Sequence, residues 1–201
     1  MTFFKITDKG LIMNMFIKGM ASAAVVMMFS PIAAQAADGK VTFNGEIITN
    51  TCTVISGDKD KIVTLPTVQV SALSAANQTA GTTPFTIGLE NCASASDVSV
   101  YFEPNEYVST EGRLKNSIPA GGSDNGADNV DIELLNNNHG VIDLANQTID
   151  PATGKVTGGN STIVTPVDGS ATLPFYARYF ATNAAEAGKV SSYVNFTIVY
   201  P

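Results

Sequence analysis

Tyr193-Val194-Asn195-Phe196-Thr197-Ile198-Val199-Tyr200 stands one residue short of the end of the chain. Val194, Phe196, Ile198 and Tyr200 alternate with Tyr193, Asn195, Thr197 and Val199, a period of two that puts alternate side chains on opposite faces of a β-strand. A matching pattern lies toward the other end, where Val41, Phe43, Gly45 and Ile47 alternate with Thr42, Asn44, Glu46 and Ile48. The spacing predicts a strand at each end. A terminal strand must find a neighbour or leave a row of main-chain donors and acceptors unpaired. Which neighbour each strand finds therefore bears on function as much as on fold.

Residues 1–36 read as a secretory signal, not as part of the fold. Lys5, Lys9 and Lys18 supply positive charge, residues 20–34 are apolar and small, and Ala34-Gln35-Ala36 is a small-x-small cleavage motif. The apolar run is short for a membrane span of about 20 residues and meets Pro31. The stretch ahead of it is long for a signal, which leaves Met13, Met15 and Met20 as alternative starts. Cleavage after Ala36 is expected to leave 165 of the 201 residues, one domain by length. It would remove all six methionines, the three lysines named and Asp8. Eight basic residues then face seventeen acidic ones, a net charge of about −9 with His139 neutral. Nucleic acid and anionic membrane surfaces both require basic patches, so neither is expected as a partner.

Cys52 and Cys92 both survive that cleavage. An exported chain with an even cysteine count is expected to form a disulfide, and closing a loop of about 40 residues stabilises by roughly 4 kcal/mol in the chain-entropy model. A metal or redox site would need CxxC spacing or added histidines, and neither occurs.

Between the ends run short strand patterns: 47–55, 61–70 (interrupted at Pro66), 84–90, 97–102, 130–135, 141–144, 161–166 and the aromatic-rich 170–182. Residues 103–129 and 146–160 are polar and read as turn and loop chemistry, not core. No segment has a convincing amphipathic-helix pattern; at most one short turn fits within 68–76. Many short strands with turn signals between them indicate an all-β sandwich.

Catalytic candidates are few. His139 sits in an Asn/Gly turn with no partner to fix its tautomer and reads as a surface residue. Glu103/Glu106 and Asp128/Asp131 read as solvated charges in polar loops, although two carboxylates are what a glycosidase needs. Residues 124–128 lack the spacing and closing glutamate of a calcium loop. Phosphate-cradling loops and nucleophile elbows are absent from the sequence. Asn77-Gln78-Thr79 and Asn160-Ser161-Thr162 match the glycosylation sequon by pattern alone. No enzyme, cofactor or metal is expected. An exported β-domain without a catalytic site works through surfaces and edges, and adding a strand to a sheet edge is a known recognition mode.

The chain resembles the chaperone–usher pilins of the type 1 fimbrial major subunit family. Residues 37–47 (Ala-Asp-Gly-Lys-Val-Thr-Phe-Asn-Gly-Glu-Ile) resemble the family's N-terminal extension. Cys52 and Cys92 stand at the family's spacing. Residues 85–92 resemble the strand leading to the second cysteine, and Phe175-Tyr176-Ala177-Arg178-Tyr179 the penultimate strand. Gly188, fourteenth from the end, and the penultimate Tyr200 fit the C-terminal motif. The closing Pro201 is less typical. The resemblance implies an incomplete immunoglobulin-like sandwich lacking its last strand and completed by donor-strand complementation. It divides the chain into a signal peptide (1–36), a donor-strand extension (37–48) and a pilin domain (49–201). Val41, Phe43, Gly45 and Ile47 would form the donor strand; Gly188, Val194, Phe196, Ile198 and Tyr200 would edge the acceptor groove and bind the chaperone. Partners would be identical or related pilin subunits, a periplasmic chaperone and an outer-membrane usher, and the destination a cell-surface fimbrium supporting adhesion. A minor or adaptor pilin, or a self-contained carbohydrate-binding β-sandwich, would fit the same strand pattern.

Overall fold

The computed structural model describes residues 40–42, 52–92 and 97–201. The chain divides into two units, Met1–Gly45 and Glu46–Pro201. Of the first, residues 40–42 are described; they are exposed and carry no regular secondary structure. The cleavage motif at 34–36, and Phe43, Gly45 and Ile47 of the alternating N-terminal pattern, lie outside the described residues.

The second unit contains strands β1 (Thr53–Val54), β2 (Thr79–Glu90), β3 (Ser99–Glu103), β4 (Leu114–Lys115), β5 (Val130–Leu135), β6 (Ala171–Ala181) and β7 (Asn195–Val199). No α-helix occurs among the described residues; short 3-10 turns span Ser56–Asp58 and Val70–Leu73, the latter within the stretch read as a possible turn. The strands form a five-stranded sheet in the order β1-β2-β6-β5-β4 and a two-stranded sheet of β3 and β7, every pairing antiparallel. Alternation along β3 and β6 turns Val100, Phe102, Leu173, Phe175 and Ala177 inward, and all five are buried in one core. Phe175 joins the sheets: its ring meets Phe102 of β3 edge-on at 5.2 Å and stacks on Phe85 of β2 at 5.6 Å. The molecule is the all-β sandwich that the strand patterns predict.

β5 coincides with the predicted 130–135, and β2, β3, β6 and β7 overlap their predicted stretches. Residues 141–144 and 161–166 reach strand pairing at single bridges, Leu135 with Val141 and Val98 with Val164. Two readings differ. Residues 61–69 join no strand among the described residues. The polar stretch 103–129 is not only turn: it supplies β4, whose Leu114 is 4% exposed and belongs to the core. One inward leucine among polar neighbours has no period to reveal it. Cys52 and Cys92 are joined, tying the start of β1 to the end of β2.

Candidate functional site

The site is an apolar trough between the two sheets, with a volume of about 950 Å³. One wall is β7 and the residues leading into it, from Ser192 to Phe196; the other is β1 followed by the turn at 59–60 and residues 61–65. Its floor is core. Phe85 and Ile87 come up from β2, Phe102 from β3, and Ile132 and Leu134 from β5. Ile87, Phe102 and Leu134 are already buried, while Phe85 and Ile132 keep part of their surface, which a further strand would remove from water.

The hydrogen-bond accounting of β3 shows which edge of β7 is open. Main-chain groups of alternate strand residues point to the same edge. Val98 exchanges both bonds with Val164 (2.8 and 3.0 Å). Two residues on, the Val100 carbonyl accepts from the Asn160 side-chain amide at 2.5 Å, and the Phe102 amide donates to Gln147 Oε1 at 2.9 Å. That edge of β3 is thus sealed by one bridge and two buried side-chain amides. Ser99, Tyr101 and Glu103 face β7, where they stand opposite Val199, Thr197 and Asn195. It follows that Val194, Phe196 and Ile198 turn their main-chain N–H and C=O groups the other way, into the trough. Among the described residues these groups have no backbone partner.

The opposite wall obeys the same logic. The Ile55 amide donates to the Gly88 carbonyl at 3.0 Å, so Cys52 and Val54 direct theirs away from β2 and toward the trough. The turn that follows is pinned from outside. Asp58 accepts the Gly88 amide at 2.7 Å and pairs with Lys61 at 2.6 Å. Both contacts, Lys61 foremost, hold its carboxyl below the usual aspartate value. A Cβ at Gly88 would stand 2.5 Å from Ile55 Cδ1, so the exposed Ile55 side chain would have to turn aside to admit one.

At one end the walls meet. The Cys52 amide donates to the Tyr200 hydroxyl at 2.7 Å. The penultimate residue thereby latches the last strand onto the disulfide end of β1.

The predicted site residues distribute as follows. Val194 and Phe196 line the trough, while Ile198 and Tyr200 continue the same half-buried inward row to its closed end. Cys52 lies in the β1 wall. Gly188 lies elsewhere: a Cβ there would stand 2.3 Å from the Ala127 nitrogen, in the ladder where Lys189 bonds Asn125 and Ala127. Val41 is exposed, and the other donor positions fall outside the described residues. Sequence reading missed the wall formed by 59–65, although Val63 and Leu65 carry a period of two, and missed Ser192, the inward row continued one step back. Of the catalytic candidates, His139 is exposed and stacks on Tyr176 at 4.0 Å. Asp131 is not solvated as expected but 8% exposed, with burial raising its carboxyl above the ordinary value. No cluster of metal-ligating side chains occurs among the described residues. Asn160 of the second sequon is 3% exposed and spends its amide on Val100.

Comparison with known proteins agrees with this geometry. The family model described as "Type-1 fimbrial protein, A" matches residues 65–201. The major fimbrial subunit SMF-1 of Stenotrophomonas maltophilia is 45% identical over 174 residues, which cover 85% of this chain and 97% of that protein. A major fimbrial subunit of Haemophilus influenzae is 36% identical over 182 residues, covering 81% of this chain and 86% of that one. A solved chaperone–usher pilus, studied for rod uncoiling, shares the fold with a TM-score of 0.51 at 18% identity, over 83% of this chain and 98% of that one. The chain belongs to the type-1 fimbrial protein family, and it is a structural, non-enzymatic subunit of a cell-surface fimbria.

Proposed function

We propose that the trough accepts an extended strand from a second subunit, and that residues 37–48 are the strand this chain offers in return. One observation carries the reading: the unpaired main-chain edge of Val194, Phe196 and Ile198 faces Cys52 and Val54 across an apolar floor. A strand laid there satisfies several ladder bonds, each net about 1 kcal/mol. Burying Val41, Phe43 and Ile47 over that floor adds roughly 1.5–3 kcal/mol each. Gly45, on the same apolar face, allows close approach where a Cβ would intrude. The contact runs head to tail and never closes on itself, so it builds an open filament.

Residues 1–36 direct export and are removed. Before assembly the trough takes a strand from a periplasmic chaperone, and an outer-membrane usher oversees the exchange; the family membership supports both steps. The test is electron microscopy of cells expressing the complete fimbrial operon, with size-exclusion chromatography of periplasmic extracts. Deleting residues 37–48 should abolish fibres while the subunit still co-elutes with its chaperone, and Gly45→Leu should do the same. Normal fibres from the deletion would sink the reading; normal fibres from Gly45→Leu alone would sink the role of Gly45.

A further inference from the structure

Ser192 interrupts an otherwise apolar row. Inward positions along the last strand run Ser192, Val194, Phe196, Ile198, Tyr200. Its hydroxyl is buried in the trough wall and meets no hydrogen-bond partner among the described residues. A buried hydroxyl left unpaired is unfavourable, and such groups are found satisfied in native assemblies.

The same fold shows how a strand serine is satisfied. Ser99, buried in β3, donates its hydroxyl at 2.9 Å to the carbonyl of Thr162 in the neighbouring segment. Ser117, at a bend outside the strands, likewise donates to the carbonyl of Ser191 at 2.8 Å. In each case the acceptor is the main chain of an adjacent extended segment. Ser192 has the donor and the burial, but among the described residues no such segment bonds it, and the residue lies in the wall of the trough. We infer that Ser192 is a positioning residue for polymerisation: its hydroxyl donates to a main-chain carbonyl of the strand inserted from residues 37–48 of a second copy. A main-chain bond at a fixed point of the wall favours one register of the inserted strand, which apolar contacts alone specify weakly. The inference rests on the strand-accepting reading of the trough.

The test uses fibres assembled in cells from the complete operon and purified, with dissociation to monomers followed in guanidinium chloride. Ser192→Ala fibres should dissociate about five- to tenfold faster than wild type, the effect of one net hydrogen bond. Ser192→Thr keeps the hydroxyl and should stay within about twofold of wild type. Ser192→Ala fibres as durable as wild type, or more so, would overturn the inference. So would a threonine variant as weak as alanine, since the effect would then be packing. Deletion of residues 37–48 runs alongside: fibres surviving it overturn the underlying reading as well, whereas their loss with an unaffected Ser192→Ala overturns only this step.

Discussion

Tyr200→Phe isolates the latch at the closed end of the trough. The substitution keeps the ring, which packs against the core, and removes only the hydroxyl that accepts the Cys52 amide at 2.7 Å. A neutral hydrogen bond contributes a net 0.5–1.5 kcal/mol, rising to about 1–3 kcal/mol when its loss strands a buried donor. Cys52 is half-buried, so water reaches part of the vacated site and the lower range applies. We expect a loss of about 1 kcal/mol, a fall of roughly 2–4 °C in melting temperature for a domain of this size. The informative measurement is local. If Tyr200 holds the two walls together, exchange of the Cys52 amide should accelerate about fivefold beyond any global change, because local openings have their own free energies. Amides in the centre of β6 should follow the global change alone. Unaltered protection at Cys52 with an altered melting temperature would refute the latch and leave Tyr200 as ordinary packing.

Three other outcomes follow from the outer face and the loops. Glu133 is 2% exposed and held by Arg113 at 3.1 Å and Arg178 at 2.5 Å, so Glu133→Gln removes the carboxylate between two part-exposed guanidinium groups and should cost about 1.5–3 kcal/mol by chemical denaturation. Asp131 is raised chiefly by burial, with Arg113 and Lys115 opposing and Glu111 reinforcing; the folded state therefore disfavours its charge. Its destabilising effect is present above the raised folded value and lost as pH falls to the ordinary aspartate range, so Asp131→Asn should raise the melting temperature at pH 7 and make little difference near pH 3. Gly188→Ala puts a methyl 2.3 Å from the Ala127 nitrogen, which only backbone movement relieves, and a loss of about 1–3 kcal/mol in denaturant midpoint experiments is expected.

How much of this was legible in the sequence depends on where the signal lies. β7 was readable because one face is more buried than the other, which imposes the period of two, and β5 because Val130, Ile132 and Leu134 alternate with Asp131 and Glu133, although both its faces are buried. The cystine was readable because export and an even count leave few alternatives. Leu114 was hidden: a two-residue strand has no period, and its register against Ile132 comes from the sandwich, not from its neighbours in sequence. Gly188 was recognised as a motif residue, but its reason is close approach to Gly126 and Ala127, some 60 residues away in the chain. Of the second wall, residues 61–65 were read as part of a strand over 61–70 interrupted at Pro66, because an apolar, β-branched sequence looks the same with or without a partner. Gln147 and Asn160 escaped altogether. Each lies in a polar loop and looks like loop surface, yet each carries a main-chain bond of β3 from 45 and 60 residues away.

Those two amides also explain why the trough is the place where another chain can add. An open sheet edge invites pairing wherever it occurs, and a polymerising subunit needs one such edge, not several. The outer edge of β4 is covered by residues 107–109, through Lys115 to Tyr107 and Ser109 to Arg113, each at 2.7 Å. The outer edge of β3 is closed by Val164, Asn160 and Gln147. What is left, among the described residues, is the pair of edges that face each other across the core. Sealing the competing edges with short loop segments and two side-chain amides, instead of with further strands, keeps the domain small while directing addition to one groove. The consequence is specific: opening the β3 edge, as Asn160→Ala would by freeing the Val100 carbonyl, should yield off-pathway association at β3 and not a faster filament, and fibres of normal number and length from that variant would contradict the sealing argument.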